Sequence, residues 1–319
     1  SEKFHGAVVD HCGHENTRVF CEVARLGEIL GGLDEIVGTY TPAEVAIIFD
    51  WENWWSLDSA ECLELHNKRY IEALHRHYAP FWETGVNVDV IDPEMDFAKY
   101  KLIIAPMLYM VKPGVEEKIE RFVADGGTFV TTYFSGVVNE NDLCYLGGVP
   151  CGKLKEVFGV WAEEIDTIYP EENNFVTFNG KEYTAEHFCE LIHTNEAETL
   201  GRYDSDFYKR MPAVTKNAYG KGNAYYIAFC DNGDFAKDFY SGMIDKLKLS
   251  RALKTDLPCG VTAHTRCADE QTYLFIENYN AESVTVDLGS EEYIDLTKGF
   301  GISDFVQLER YGVKILKQK

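Results

Sequence analysis

The segment from Lys101 to Thr132 constrains the fold most. It opens with a short apolar run, Leu102 to Ala105, of strand length. Pro113-Gly114 then introduces Val115, Ile119, Phe122 and Val123, spaced so that all four fall on one face of a helix. Asp125-Gly126-Gly127 stops that helix, and Thr128 to Thr132 reads as the next strand. Successive strands joined through a helix lie parallel in one sheet, since a tight turn links only antiparallel neighbours.

The same alternation stands upstream. A turn at Gly38-Thr39-Tyr40-Thr41-Pro42 precedes a strand over Val45 to Phe49. Ser59 to Tyr78 carries Leu63, Tyr70, Ile71, Leu74 and Tyr78 on one face, which predicts a helix ended by Pro80, and Val86 to Ile91 reads as a strand. Ahead of these, Val19, Val23, Leu26, Leu30 and Leu33 recur at helical spacing after Asn16-Thr17, with Gly31-Gly32 as a stop, and predict an amphipathic helix over 17–30. The pattern specifies an α/β domain with an open parallel sheet of flavodoxin-like type.

From Lys153 the pattern loosens into a short helix to Phe158 and strand-like pieces over 165–169 and 175–178. Asn223 to Phe229 reads as a further sheet strand and Phe235 to Leu253 as a closing helix. Past Pro258, short alternating runs at 261–264, 272–277, 283–287 and 312–316 predict a small all-β domain. A length of 319 residues agrees with about two domains.

Composition excludes several partners. The 53 acidic against 30 basic residues leave a formal charge of -23, which repels phosphate backbones, so no nucleic acid is expected. No apolar run approaches the roughly 20 residues that span a bilayer, and no basic-then-apolar leader opens the chain, so no membrane partner is expected and the expected location is cytoplasmic. Nine scattered cysteines without a C-x-x-C pair fit reduced thiols better than a disulfide framework. His11-Cys12-Gly13-His14-Glu15 gathers potential ligands, but no second cluster completes a tetrahedral set, so a loop before the helix is expected, with no metal and no cofactor.

Beyond the first strand the chain reads Asp50-Trp51-Glu52-Asn53-Trp54-Trp55. Open α/β sheets place ligands past the carboxyl ends of their strands, and aromatic rings with carboxylates suit sugars. Tryptophans this dense equally suit a subunit contact. Trp51, Trp54 and Trp55 are therefore candidates for an interface or for the wall of a site.

These segments carry a resemblance. VAIIFDWENWW, then YKLIIAPMLYMVKPGVEEKIERFVADGGTFVTTYFSG, then the Gly147-Gly148-Val149-Pro150 turn into KLKEVFGVWAEEID resemble the middle domain of glycoside hydrolase family 42, the prokaryotic β-galactosidases. VTAHTRCADEQTYLFIENYNAESVTVDLG and ERYGVKILK resemble that family's small C-terminal β domain. The resemblance implies a segment 1–42 leaving a catalytic barrel, a glutamine-amidotransferase-like trimerisation domain over 43–256 and a β domain over 257–319.

It further implies an enzyme acting on β-D-galactosides through a retaining mechanism, with two glutamates on a (β/α)8 barrel. A barrel of about 250 residues does not fit ahead of residue 40, so this chain is expected to be the non-catalytic part, with none of its acidic residues catalytic. By the same resemblance, Glu2 and His5 match an E-x-x-H pair that hydrogen-bonds galactose hydroxyls, and the intact enzyme is expected to be a homotrimer.

Two alternatives belong to other classes. A carbohydrate-binding module would stack these tryptophans on a sugar and bind its hydroxyls with Asp50, Glu52 and Asn53. An amidotransferase-like enzyme would carry a nucleophile on the turn after the strand ending at Thr132, but Tyr133-Phe134-Ser135-Gly136 has no Cys, and Ser135 lies one residue off the elbow position. Asp231-Asn232-Gly233-Asp234 is similar to a calcium loop without its closing Glu and is expected to be a turn and helix cap. His75-Arg76-His77 is expected on a solvated helix face.

Overall fold

The computed structural model describes residues 7–61, 68–169 and 171–319. They divide into two units, one taking 43–82 and 86–250, the other taking the described residues before 43 together with 83–85 and 251–319. The first helix, α1 (Arg18–Gly31), belongs to the second unit.

The larger unit begins with β1 (Val45–Ile48), α2 (Trp51–Ser59), α3 (Tyr70–Thr84), β2 (Val88–Ile91), β3 (Leu102–Ala105), α4 (Val115–Ala124) and β4 (Thr128–Thr132). It continues with α5 (Leu154–Phe158), β5 (Val160–Thr167), β6 (Asn174–Phe178), β7 (Lys181–Thr194), β8 (Glu198–Tyr203), β9 (Pro212–Tyr219), β10 (Gly222–Ile227), β11 (Phe229–Asp231) and α6 (Asp234–Leu247). Among the described residues these strands form one eleven-stranded sheet. Its parallel half runs β2-β1-β3-β4-β10, the strand order of a flavodoxin-like sheet.

Every residue of β1, β3 and β4 is buried, which is why β1 and β3 read as unbroken apolar runs and β4 as a β-branched and aromatic one. Alternate side chains serve opposite faces. Val45, Ile47, Leu102, Ile104 and Val130 pack with α3 and α6, while Ala46, Ile48, Ile103, Ala105 and Phe129 pack with α4 and α5. At Gly222 any Cβ would strike the backbone carbonyls of Val123 and Gly127, so only glycine lets β10 begin so close to the end of α4.

The structure departs from the sequence expectation at several points. Beyond β10 the sheet turns antiparallel through β9, β8, β6, β7 and β11, with β5 also on β7, so the sheet is mixed. Trp51 to Ser59 is helical. Within the described residues α3 starts at Tyr70, and Pro80 lies inside it, where burial compensates for one missing helical N–H bond. Leu63 lies outside the described residues. The closing helix stops at Leu247 because Lys248 takes a left-handed conformation, φ 50°.

In the smaller unit β12 (Val261–Ala268), β13 (Gln271–Asn278), β14 (Val284–Asp295), β15 (Gly301–Leu308) and β16 (Val313–Gln318) form an antiparallel sheet ordered β12-β13-β16-β14-β15. Its core holds Val261, Leu274, Ile276, Val286, Leu308 and Leu316. The preceding chain is tied to it: Tyr40 bridges Cys267, and Glu35 accepts from Lys317 Nζ at 2.5 Å and from the Tyr273 hydroxyl at 3.1 Å. Helix α1 is capped by Thr17, which accepts from Phe20 N at 3.2 Å, and its apolar stripe of Val19, Val23, Leu26 and Leu30 is exposed.

Candidate functional site

The carboxyl ends of the parallel strands gather a set of charged and aromatic groups. After β1, Asp50 takes an extended conformation and caps α2, its Oδ1 accepting from Glu52 N at 2.9 Å. Asn53 pins the helix to the chain beyond β3, donating to the Met107 carbonyl at 3.0 Å and accepting from Met110 N at 2.8 Å. With Asn53, Ser56 and Leu57 buried, α2 turns Trp51, Glu52 and Trp55 to solvent.

The three tryptophans therefore differ. Trp51 and Trp55 are exposed, whereas Trp54 is half-buried and packs on the core beside Phe49, with ring centroids 6.2 Å apart. Trp51 joins them, 5.4 Å from Trp54 and 6.1 Å from Trp55.

Lys112 organises the charge. Its ammonium lies 3.0 Å from Asp50 Oδ2 and 2.5 Å from Glu52 Oε2, with the Asp50 carboxylate almost wholly buried. Burial works against the charged ammonium, but its hydrogen bonds to Glu52 and Asp50 outweigh that and raise its pKa above the ordinary lysine value. Asp92 and Glu94, which follow β2, complete the wall of an open cavity of about 590 Å³ shared with Asp50, Trp51, Glu52, Trp55 and Lys112. The four carboxylates can accept hydroxyl hydrogens, the ammonium can donate to hydroxyl oxygens, and the two exposed indoles can stack on apolar ring faces. A second cavity, about 540 Å³, opens at the amino ends of β3 and β4. Two of its cations are engaged, Lys118 with the Pro93 and Met95 carbonyls and Lys101 with Glu44.

The turn after β4 has the elbow shape of a nucleophile loop without the nucleophile. The left-handed position, φ 64°, is held by Phe134, whose ring is buried against Phe188 at 5.0 Å. Ser135 is buried, donates to the Thr132 carbonyl at 2.7 Å and accepts from Leu108 N at 3.1 Å, so its hydroxyl is engaged in structure. Beneath the turn, Glu190 of β7 accepts from the Tyr226 hydroxyl at 2.6 Å and from Phe134 N at 3.3 Å. Burial pushes its carboxyl up to about 7, against the lowering effect of those two hydrogen bonds.

Other sequence candidates separate. Glu2 and His5 lie outside the described residues. Asp10, Cys12 and His14 bring donor atoms within 4.8 Å of one another, but Asp10 already accepts from Cys12 N and His14 N and pairs with His14 Nδ1 at 2.7 Å. These contacts, the His14 backbone bond foremost, lower the Asp10 pKa. Asp231 does cap α6, accepting from Gly233 N and Ala236 N.

His75-Arg76-His77 is not a solvated face: only His75 is exposed. Arg76 donates to Cys230 Sγ at 3.1 Å, and His77 is buried with Nδ1 2.6 Å from the Tyr240 hydroxyl. Burial, then the Arg76 charge, push His77 down to about 3. Asp92, Glu94, Lys112 and Glu190 went unnoticed in the sequence. For the first three the available signal was position, just past strand ends.

Among the described residues no helix is long and apolar enough to cross a membrane. A family model described as "Beta-galactosidase trimerisation domain" matches residues 43–250, and one described as "Beta-galactosidase C-terminal domain" matches 260–318. The chain is 49% identical to β-galactosidase Pbg of Clostridium perfringens, over 100% of this chain and 47% of that protein. It superposes on a structure of Gan42B, a GH42 β-galactosidase from G. stearothermophilus, with TM-score 0.96 and 45% identity, covering 100% of this chain and 46% of that one. For the β-galactosidase of Bacillus circulans sp. alkalophilus the values are 0.92 and 41%, covering 100% and 48%. The chain spans about half the length of these relatives.

Proposed function

The chain belongs to glycoside hydrolase family 42, the β-galactosidases, and on that premise we propose that it is the non-catalytic, oligomer-forming and active-site-supporting part of such an enzyme. The whole enzyme would release terminal β-D-galactosyl units with retention, using glutamates outside this chain, and would work in the cytoplasm without a cofactor. The observation that carries this reading is the coincidence of the trimerisation-domain match, 43–250, with the unit whose strand ends present Trp51 and Trp55 to solvent.

In this reading 43–256 assembles copies of the chain into a homotrimer, and 257–319 is the appended β domain. The cavity lined by Asp50, Glu52, Asp92 and Glu94 serves as a wall near a galactoside site, while Glu2 and His5 hydrogen-bond galactose hydroxyls. The test is a chromogenic β-galactoside assay of this chain beside the full-length enzyme, with light scattering of both. No turnover by this chain, together with a trimeric mass, is expected. Turnover above trace level by this chain would overturn the non-catalytic assignment.

A further inference from the structure

The turn ahead of α1 gathers an oxygen, a sulfur and a nitrogen ligand. The Asp10 carboxylate, the Cys12 thiol and the His14 imidazole each bring one donor atom within 4.8 Å of the other two. The two oxygens of Asp10 have different tasks. Oδ1 accepts from Cys12 N at 3.1 Å and from His14 N at 2.9 Å, and the Asp10 carbonyl accepts from Gly13 N at 3.1 Å, so main-chain donors close the turn. Gly13, φ 79°, supplies the left-handed residue there. Oδ2 takes no part in that closure: its contact is His14 Nδ1 at 2.7 Å, another donor of the same cluster. The turn thus gathers three ligating side chains before any ion arrives, which lowers the ordering cost of binding.

The donor set selects the ion. Thiolate, imidazole and carboxylate are the ligand types of Zn2+, which binds them at about 2.0 to 2.3 Å, so neighbouring ligands of a tetrahedral ion stand about 3.5 Å apart. Asp10 Oδ2 and His14 Nδ1 need part by only about 1 Å to reach that spacing. Cys12 is a free, exposed thiol and His14 is exposed, so both side chains can turn without disturbing a core. Ca2+ and Mg2+ take oxygen ligands, and a thiol serves them poorly. No metal was expected from the sequence because no second cluster completes a tetrahedral set, but three protein ligands and one water also complete four-coordination. The formal charge of -23 draws cations to the chain.

We propose that Asp10, Cys12 and His14 form a Zn2+ site, with water as the fourth ligand, that clamps the turn ahead of α1. Binding sends the Cys12 thiol proton to solvent, and the neutral imidazole carries its proton on Nε2 so that Nδ1 can ligate. The test titrates Co2+, then Zn2+, into the reduced, metal-free 319-residue chain. One equivalent of Co2+ should give the visible bands of a four-coordinate ion and a thiolate-to-cobalt band in the near ultraviolet, both erased by Zn2+. Cys12→Ser should remove the thiolate band, whereas Cys21→Ser, at another exposed cysteine, should keep it. Asp10→Asn, whose amide oxygen can still close the turn, and His14→Ala should each weaken Zn2+ binding about tenfold or more, a loss that even an outer-shell partner can carry. The melting temperature of the ion-free chain should be the same in all of them. Absence of the thiolate band, or a band that survives Cys12→Ser, would overturn the site. A band lost in Cys12→Ser with affinity unchanged in both Asp10→Asn and His14→Ala would reduce it to a single thiol and overturn it equally.

Discussion

Replacing Glu190 by Gln should flatten part of the dependence of stability on pH. In the folded chain the Glu190 carboxyl is pushed up to about 7, whereas its ordinary value is 4.5. Between these values the unfolded chain has released the proton and the folded chain still binds it, so stability is fully present below pH 4.5 and is lost as pH rises through about 7. A gap of about 2.5 pH units, 7 minus 4.5, at ~1.4 kcal/mol each, makes the loss about 3 kcal/mol. Most of it, about 2.5 kcal/mol, falls between pH 5 and 7.5. Glutamine nearly matches the shape and can still accept from the Tyr226 hydroxyl, but it does not ionise. His77, pushed down to about 3, has the opposite slope: stability is lost as pH falls from 6.5 towards 3, equally in both proteins, so it cancels in their difference. Urea unfolding of wild type and Glu190→Gln at pH 5, 6, 7 and 7.5 measures that difference. The variant should gain about 2.5 kcal/mol relative to wild type across the range. Differences constant within about 0.5 kcal/mol would refute the assignment of Glu190 as a neutral buried acid at pH 5.

Further outcomes follow from the same geometry. Trp54→Ala, which removes a ring packed on Phe49, should cost about 2 to 3 kcal/mol of folding stability by urea unfolding, whereas Trp55→Ala should leave stability within about 0.5 kcal/mol and weaken assembly by light scattering. Lys112→Met leaves the Asp50 carboxylate buried without its cation and should destabilise by about 3 kcal/mol, read from the same unfolding curves. In the full-length enzyme, Glu2→Gln and His5→Ala should each lower kcat/KM about tenfold without changing oligomeric mass, as measured with a chromogenic galactoside.

The residues that announced the fold are those whose environment is uniform along the chain. Strands β1, β3 and β4 are buried on both faces, so β1 and β3 are continuous apolar runs and β4 is β-branched and aromatic throughout, and Pro113-Gly114 and Gly126-Gly127 punctuate the helix between the last two. The antiparallel half was less legible because its strands are unevenly covered. Strand β7 mixes exposed and buried positions and contains His187 at φ 58°, and β5 shifts register between Ala162 and Glu164. Helix α2 gave no apolar period, since two of its large rings face water, and only the Asn53 bonds to Met107 and Met110 reveal why it forms there. Similarly, the stripe on α1 predicted a helix correctly, but not that its apolar side would stand exposed.

Local chemistry by itself determined that Asp50 to Trp55 lies at a strand end, because that position depends only on the run before it. The partners of those residues were decided by tertiary structure. Lys112 reaches Asp50 across 62 residues of chain, and Glu190 meets Tyr226 across 36. Neither pairing leaves a mark in spacing or composition, for a carboxylate and its distant partner meet only when separate strands are laid side by side in one sheet.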